Sequence, residues 1–157
     1  MRLYLAQHGV AKSKAEDHER PLTNEGLEES RKVASYVSRL EIAQLNKIYH
    51  SGKLRAHQTA DVFAEHLMLP GGVEHADGLA PLDDPTVWAE RIRSAGEDIM
   101  LVGHLPHLAK LTALLLTGNP EFEIVRFRNS GVVHLESDEA GKWSLKWVLV
   151  PELLASG

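Results

Sequence analysis

The sequence predicts an α/β fold, a three-layer α/β/α sandwich built around a mainly parallel sheet. Over the first two-thirds of the chain, short apolar runs alternate with longer segments whose apolar residues recur at helical spacing. The last third instead holds strand-like runs separated by short turns, which indicates antiparallel strands at an edge. With no repeat, linker or low-complexity segment, residues 1–157 are expected to form one domain.

The first strand and the first helix are separated by a polar loop. Residues 3–6 form a short apolar run, which is typical of a buried strand. Further on, Thr23 is suited to cap a helix and Glu25 to face its positive end. Apolar residues at helical spacing then predict a helix that continues to about residue 40.

A second strand–helix pair follows, and then a weaker strand. Residues 47–50 read as a strand, and Ser51 is expected to cap the next helix. The apolar stripe of that helix begins at Ala56 and continues four, seven and eleven residues later, at Ala60, Phe63 and Leu67. A proline and two glycines at 70–72 end the pattern, and a short strand is expected within 73–79.

The middle of the chain holds the clearest strand. Asp84 and Pro85 form a helix start, because aspartate caps helices and proline fits their first turn. Residues 99–102 are strongly apolar and predict a buried strand. Pro106 stands where a first-turn proline belongs, ahead of a helix that continues to about residue 115.

The C-terminal third reads as three strands. The expected ranges are 124–127, 132–135 and 143–150, with turns at 130–131 and 139–141. Their close spacing favours a hairpin-like arrangement at the edge of the sheet.

Composition excludes several classes of protein. A formal net charge of −5 argues against nucleic-acid binding, which needs a basic face. The chain has no cysteine, so it has neither disulfides nor thiolate zinc sites. It contains no apolar run near the length of a membrane-spanning helix and no signal-peptide pattern. A cytoplasmic protein with no membrane partner is therefore expected.

Residues suited to anion chemistry follow three of the predicted strands. His8, the segment 51–55 and His104 each lie at the carboxyl end of a strand, where ligands bind in open α/β sheets. Lys53 and Arg55 fall in the first turn of a helix, where cations meet a positive dipole unless an anion docks there. The alternative is that both cations are simply solvated and that each histidine is structural.

Three motifs resemble those of the histidine phosphatase superfamily, in the same order along the chain. They are Gln7-His8-Gly9 after the first strand, residues 51–60 (SGKLRAHQTA) after the second, and Val102-Gly103-His104 after the strongest. The compact length, the segment 20–26 (RPLTNEG) and the sequence Gly103-His104-Leu105-Pro106 look most similar to the small SixA-type phosphohistidine phosphatases.

The resemblance implies a phosphoglycerate mutase-like fold and a covalent mechanism that needs no metal or cofactor. His8 would be the nucleophile that becomes phosphorylated. Arg55 and a protonated His104 would hold the phosphoryl oxygens as two cations. The other residues implied in the phosphate pocket are Gln7, Gly9, Arg20 at its mouth, and Ser51.

Two departures from the family pattern bear on activity. Gln7 replaces the usual arginine, and the loss of one charge-assisted hydrogen bond would slow turnover roughly ten- to a hundredfold. Larger relatives carry a carboxylic general acid at the position of Pro81. The SixA-like branch resembles this chain in lacking that acid. Asp83 or Asp84 could substitute, but a solvated loop and a helix cap explain these two residues equally well.

Several functions are compatible with these residues. The first is a phosphatase acting on phosphohistidine in a partner protein of the phosphotransfer type. A phosphomonoesterase for small phosphorylated substrates would need an acid for its alkoxide leaving group. A phosphate-binding regulatory module with little turnover is the third, suggested by Gln7. A metal site at His104 and His107 lacks further ligands to complete it.

Overall fold

A six-stranded sheet forms the centre of the computed structural model, which describes residues 1–40 and 45–154. The helices and strands alternate along most of the chain, as the sequence predicts. In order they are β1 (Arg2–Gln7), α1 (Asn24–Ser38), β2 (Leu45–His50), α2 (Leu54–His66), β3 (Gly72–His75), α3 (Pro85–Ala95), β4 (Asp98–Gly103), α4 (His107–Thr117), β5 (Val132–Ser137), β6 (Trp143–Leu149) and a short 3-10 turn (Pro151–Leu153).

The sheet is parallel on one side and antiparallel on the other. Its strand order is β3-β2-β4-β1-β5-β6, with β1 pairing parallel to β4 and antiparallel to β5. β6 continues the antiparallel side as a hairpin with β5. The predicted α/β fold with a mainly parallel sheet and an antiparallel edge is therefore confirmed.

Alternation along β1 divides the core into two layers. Leu3 and Leu5 point to one face of the sheet, where they join a cluster that includes Trp88 of α3 and Leu108 of α4. Tyr4 and Ala6 point to the other face, in a cluster that includes residues of α1 and α2. Helices thus cover both faces of the sheet, which gives the three predicted layers.

Two of the expected helix starts are confirmed by their hydrogen bonds. The Thr23 hydroxyl accepts from the Gly26 N–H at 3.0 Å at the start of α1. The Asp84 carboxylate accepts from the Thr86 N–H at 2.9 Å, with Pro85 in the first turn of α3.

Two other expectations about helix starts are wrong. α2 begins at Leu54 with Lys53 in the cap position and no side-chain cap. The Ser51 hydroxyl lies 2.6 Å from Nε2 of His104 and accepts from the N–H of Lys53, which precedes the helix, at 3.3 Å. Pro106 is itself the cap residue of α4, which begins at His107.

The strand expected at 124–127 is also absent from the described residues, which are irregular there. Val125 and Phe127 are buried in the core while their neighbours Ile124 and Arg126 are exposed. An alternating pattern reports that every second side chain is buried, and it does not require a hydrogen-bonded ladder.

Within the described ranges, no helix combines the length and the apolar character needed to cross a membrane.

The first turn of α1 packs directly against the loop that follows the first strand. A Cβ at Gly26 would overlap the carbonyl oxygen of Val10 and lie 2.9 Å from the Val10 nitrogen. The absence of a side chain therefore lets α1 approach this loop closely.

We expect Gly26→Ala to destabilise the fold, although alanine is normally the better helix former by about 1 kcal/mol. The overlap with backbone should lower the free energy of unfolding in urea by about 1–3 kcal/mol. Glu28→Ala, on the exposed side of α1, is the control and should change stability little. A Gly26→Ala protein as stable as the parent would contradict this packing.

Candidate active site

The structure brings together the residues that follow β1, β2 and β4. The imidazole rings of His8 and His104 lie 4.9 Å apart between centroids. Ser51 contacts His104, and the charge of Arg55 is close enough to act on both histidines. Three segments that are distant in the sequence therefore share one pocket at the carboxyl edge of the parallel strands.

Backbone and side-chain hydrogen bonds hold His8 in place. Its N–H donates to the Gly103 carbonyl at 3.0 Å, and its carbonyl accepts from the Asn129 amide at 2.9 Å. The ring Nδ1 lies 2.7 Å from the Gly9 carbonyl oxygen. A carbonyl can only accept, so Nδ1 carries the proton and Nε2 of the neutral ring keeps its lone pair.

Burial keeps that ring neutral. Together with the smaller effects of the positive charges of Arg55 and Arg20, it lowers the pKa of His8 to about 4. The hydrogen bond to Gly9 works in the opposite direction but is outweighed. Near pH 7 His8 is therefore an unprotonated imidazole with a free Nε2.

His104 is neutral for the same reason. Burial, together with the smaller effects of His8 and Arg55, lowers its pKa to about 3. Its Nε2 lies 2.6 Å from the Ser51 hydroxyl, while Nδ1 is buried without a partner among the described residues. The expectation that His104 supplies a second standing cation is wrong, because a charged ring here would be desolvated beside other cations.

The permanent positive charge of the pocket comes from two arginines. Arg55 lies in the first turn of α2, and its buried Nε has no partner within the described residues. Arg20 donates through Nε to the Lys12 carbonyl at 3.1 Å. It has a φ of +52°, a conformation that costs energy in a non-glycine residue and recurs at functional sites. Within residues 1–40 and 45–154, no carboxylate forms an ion pair with Arg20 or Arg55.

Gln7 and Gly9 flank the nucleophile candidate and have different surroundings. The Gln7 backbone carbonyl accepts from the Ser130 N–H at 3.0 Å, and its side-chain Oε1 is buried without a partner in the described part of the chain. A Cβ at Gly9 would lie 2.9 Å from the Ser30 hydroxyl and 3.0 Å from that of Ser130. Close packing against these serines therefore favours glycine after His8.

Neither Asp83 nor Asp84 is placed as a general acid. Asp84 caps α3, and its hydrogen bonds with Thr86 lower the pKa of its carboxyl, whereas an acid catalyst needs the pKa raised. The Asp83 carboxylate accepts from the Ala80 N–H at 2.9 Å. Both carboxylates line a groove that also contains Ser51, so they border the pocket and have local structural partners.

The residues that join the parts of the pocket were not predicted from the sequence. The hydroxyl of Thr59, fully buried, accepts from the Gly9 N–H at 3.0 Å and donates to the Arg55 carbonyl at 2.8 Å. Thr59 therefore connects the loop that carries His8 to the helix turn that carries Arg55. Its place in the 51–60 motif, one turn after Arg55, was the available signal. Asn129 gave no comparable signal.

The pair His104 and His107 does not form a metal site in the structure. His107 is buried, and neither ring nitrogen has a partner within the described ranges. No group of three or more histidine, cysteine or acidic residues in residues 1–40 and 45–154 is arranged to hold a metal ion.

Comparison with known proteins gives consistent matches over nearly the whole chain. The family model for the histidine phosphatase superfamily (branch 1) matches residues 3–82. Phosphohistidine phosphatase SixA of Escherichia coli is 28% identical over 156 residues, which cover 96% of this chain and 94% of that protein. An uncharacterized protein of Picosynechococcus sp. is 32% identical over 147 residues, covering 89% and 87%.

A solved structure supports the same relationship. The structure of the protein histidine phosphatase SixA complexed with tungstate superimposes with a TM-score of 0.84 at 27% identity. The match covers 98% of this chain and 99% of that one. The whole fold is therefore shared, including the edge strands that lie outside the residues matched by the family model.

We expect Thr59→Val to weaken the binding of inorganic phosphate about tenfold, because a buried N–H left unpaired costs about 1–3 kcal/mol. The change keeps the volume of the side chain but releases the loop after His8 from the turn that carries Arg55. Isothermal titration calorimetry measures the affinity, and Thr59→Ser should restore most of it.

Thr112→Val is the matched control for this variant. Thr112 is equally buried and makes the same bond to the carbonyl four residues earlier, at 2.8 Å from Leu108, but lies outside the pocket. Both valine variants lose the bond to the carbonyl four residues earlier, and only Thr59→Val also leaves the Gly9 N–H unpaired. Equal phosphate affinities in the two would mean that Thr59 has no positioning role.

Proposed function

Since this chain belongs to the histidine phosphatase superfamily, we propose that it is a phosphohistidine phosphatase that takes the phosphoryl group onto Nε2 of His8. The observation that carries the proposal is the hydrogen bond between Nδ1 and the Gly9 carbonyl. It leaves a neutral ring with one free nitrogen beside a guanidinium, which is the arrangement a nucleophile needs for an anionic phosphoryl group.

The first step transfers the phosphoryl group. The Nε2 lone pair of His8 forms a bond to phosphorus while the bond from phosphorus to the leaving group breaks. The leaving group keeps the electron pair of the broken bond. Arg55 faces the phosphoryl oxygens with a fork of donors, and its positive charge stabilises the transition state. Arg20, at the mouth, contributes a second fixed charge. His104, a neutral ring, donates a hydrogen bond to a phosphoryl oxygen.

The second step restores the enzyme. A water molecule attacks phosphorus, the bond to Nε2 breaks, and inorganic phosphate leaves with His8 again neutral. The departing nitrogen returns to the state that burial and the bond to Gly9 already favour. The pocket residues promote both steps by positioning the reactants and stabilising their charge. We propose that no metal ion takes part.

The leaving group is the reason for proposing phosphohistidine as the substrate. An alkoxide leaves poorly without an acid, and the two carboxylates nearest the pocket serve as a helix cap and a loop acceptor. In phosphohistidine the ring nitrogen that does not carry phosphorus is protonated near neutral pH, so the ring leaves as neutral imidazole. The names of the two SixA relatives, one a phosphohistidine phosphatase and one a protein histidine phosphatase with tungstate bound, support the same substrate class.

The direct test is to incubate the protein with a histidine-phosphorylated protein carrying ³²P, with a chelator present throughout. The parent protein should release phosphate and carry transient label, while His8→Ala should do neither. His66→Ala, on the last turn of α2, is the control and should behave as the parent. Undiminished turnover by folded His8→Ala would refute the mechanism, and a parent protein that binds phosphate but shows neither label nor turnover would be a phosphate-binding module instead.

We expect the His8 ring to titrate with a midpoint near pH 4 because burial and neighbouring cations disfavour its charged form. The neutral nucleophile then persists down to about pH 5, and phosphoryl transfer should be lost only as the pH falls through about 4. Proton NMR of the imidazole, assigned with His8→Ala, measures the midpoint. A midpoint at or above 6.5 would contradict the site electrostatics.

We also expect the protein to prefer phosphoramidates over unactivated phosphate esters. A positioned general acid is worth about 10²–10⁴-fold, and its absence should penalise the ester by a factor of that order. The comparison is kcat/KM for a phosphohistidine peptide against glucose 6-phosphate. Higher efficiency with the sugar phosphate would favour a phosphomonoesterase with Asp83 or Asp84 as its acid.

A further inference from the structure

Two grooves adjoin the segment that joins β2 to α2, and they differ in charge. One is lined by residues 52–55 together with part of the loop that precedes α1. The other is lined by Ser51 together with residues of the loop that leads into α3. Because this segment also carries Arg55, both grooves open beside the pocket that contains His8.

The first groove is basic although the protein as a whole is acidic. Its volume is about 420 Å³, and its charged residues are one carboxylate, Glu19, against Lys14, Arg20, Lys53 and Arg55. The formal net charge of the chain is −5. Four cations around one small groove therefore form a local positive field on an otherwise negative protein.

The basic groove is continuous with the site but extends beyond it. Arg20 and Arg55 line the groove and also act on the His8 ring. Lys14, by contrast, is exposed, and its side chain makes no hydrogen bond or ion pair within the described ranges. Arg55 can hold a single phosphoryl group without Lys14. The positive charge of Lys14 is therefore available to bind a larger ligand.

The second groove is acidic. Its volume is about 610 Å³, and Asp77, Asp83 and Asp84 line it against one cation, Arg91. The Asp77 side chain is fully exposed. An acidic partner is therefore attracted to one side of the 51–55 segment and repelled from the other, which fixes the orientation in which it approaches.

We propose that the basic groove is a docking surface for a protein substrate whose phosphohistidine is surrounded by acidic side chains. This rests on the proposed function and adds the chemical character of the partner. Lys14 and Lys53 contact the acidic surface of the partner while its phosphoryl group enters the pocket. The acidic groove excludes the reversed orientation.

The test uses two synthetic phosphohistidine peptides of equal length, one with aspartates and glutamates around the phosphohistidine and one with lysines. Phosphoramidate, which has no flanking residues, is the third substrate. The acidic peptide should have the higher kcat/KM, and its advantage should shrink as salt is added. Lys14→Glu should lower its kcat/KM about three- to tenfold and leave phosphoramidate unchanged.

Lys142→Glu is the matched control, because it makes the same charge change at an exposed position in the turn between β5 and β6. Equal turnover of the two peptides, or equal effects of the two charge reversals, would overturn the docking surface.

Binding separates this proposal from the activity. The affinities of the same two peptides carrying a stable phosphonate analogue of phosphohistidine can be measured without turnover. If no substrate is hydrolysed, the proposed function fails, and the docking surface still stands or falls on whether the acidic analogue binds more tightly than the basic one.

Discussion

The chemistry of the pocket depends on one hydrogen bond, from Nδ1 of His8 to the carbonyl of the next residue. It fixes which nitrogen carries the proton, and therefore which nitrogen can attack. The bond requires a fixed loop, and the loop is held by Gly103 from β4, by Asn129 ahead of β5 and by Thr59 of α2. The sheet, one helical layer and the segment ahead of β5 thus act together on the orientation of a single ring.

Charge in the pocket is divided between two kinds of side chain. Burial and neighbouring cations keep both histidines neutral, so the proposed mechanism uses them as nucleophile and hydrogen-bond partner rather than as fixed charges. The arginines remain charged and supply the field for the phosphoryl oxygens. We propose that Arg20 or Lys53 supplies part of the positive charge that an arginine in place of Gln7 would add.

The sequence predicted the parts of the pocket better than the contacts between them. Each strand end was visible because a buried apolar run stops at a polar residue, and three such ends meet at one edge of a parallel sheet. Ser51 was misassigned because a serine before a helix suits a cap, while its actual partner, His104, lies 53 residues away. The bonds of Thr59 and Asn129 to the loop around His8 span 50 and 121 residues and leave no local pattern.

The identity of the phosphorylated nitrogen tests the central claim most directly. Protein with ¹⁵N-labelled histidine can be phosphorylated, quenched in base and analysed by ¹⁵N and ³¹P NMR, which distinguish the two ring positions. We expect phosphorus on Nε2 of His8, the nitrogen that the bond between Nδ1 and Gly9 leaves free. Phosphorus on Nδ1, or on any histidine other than His8, would contradict this account.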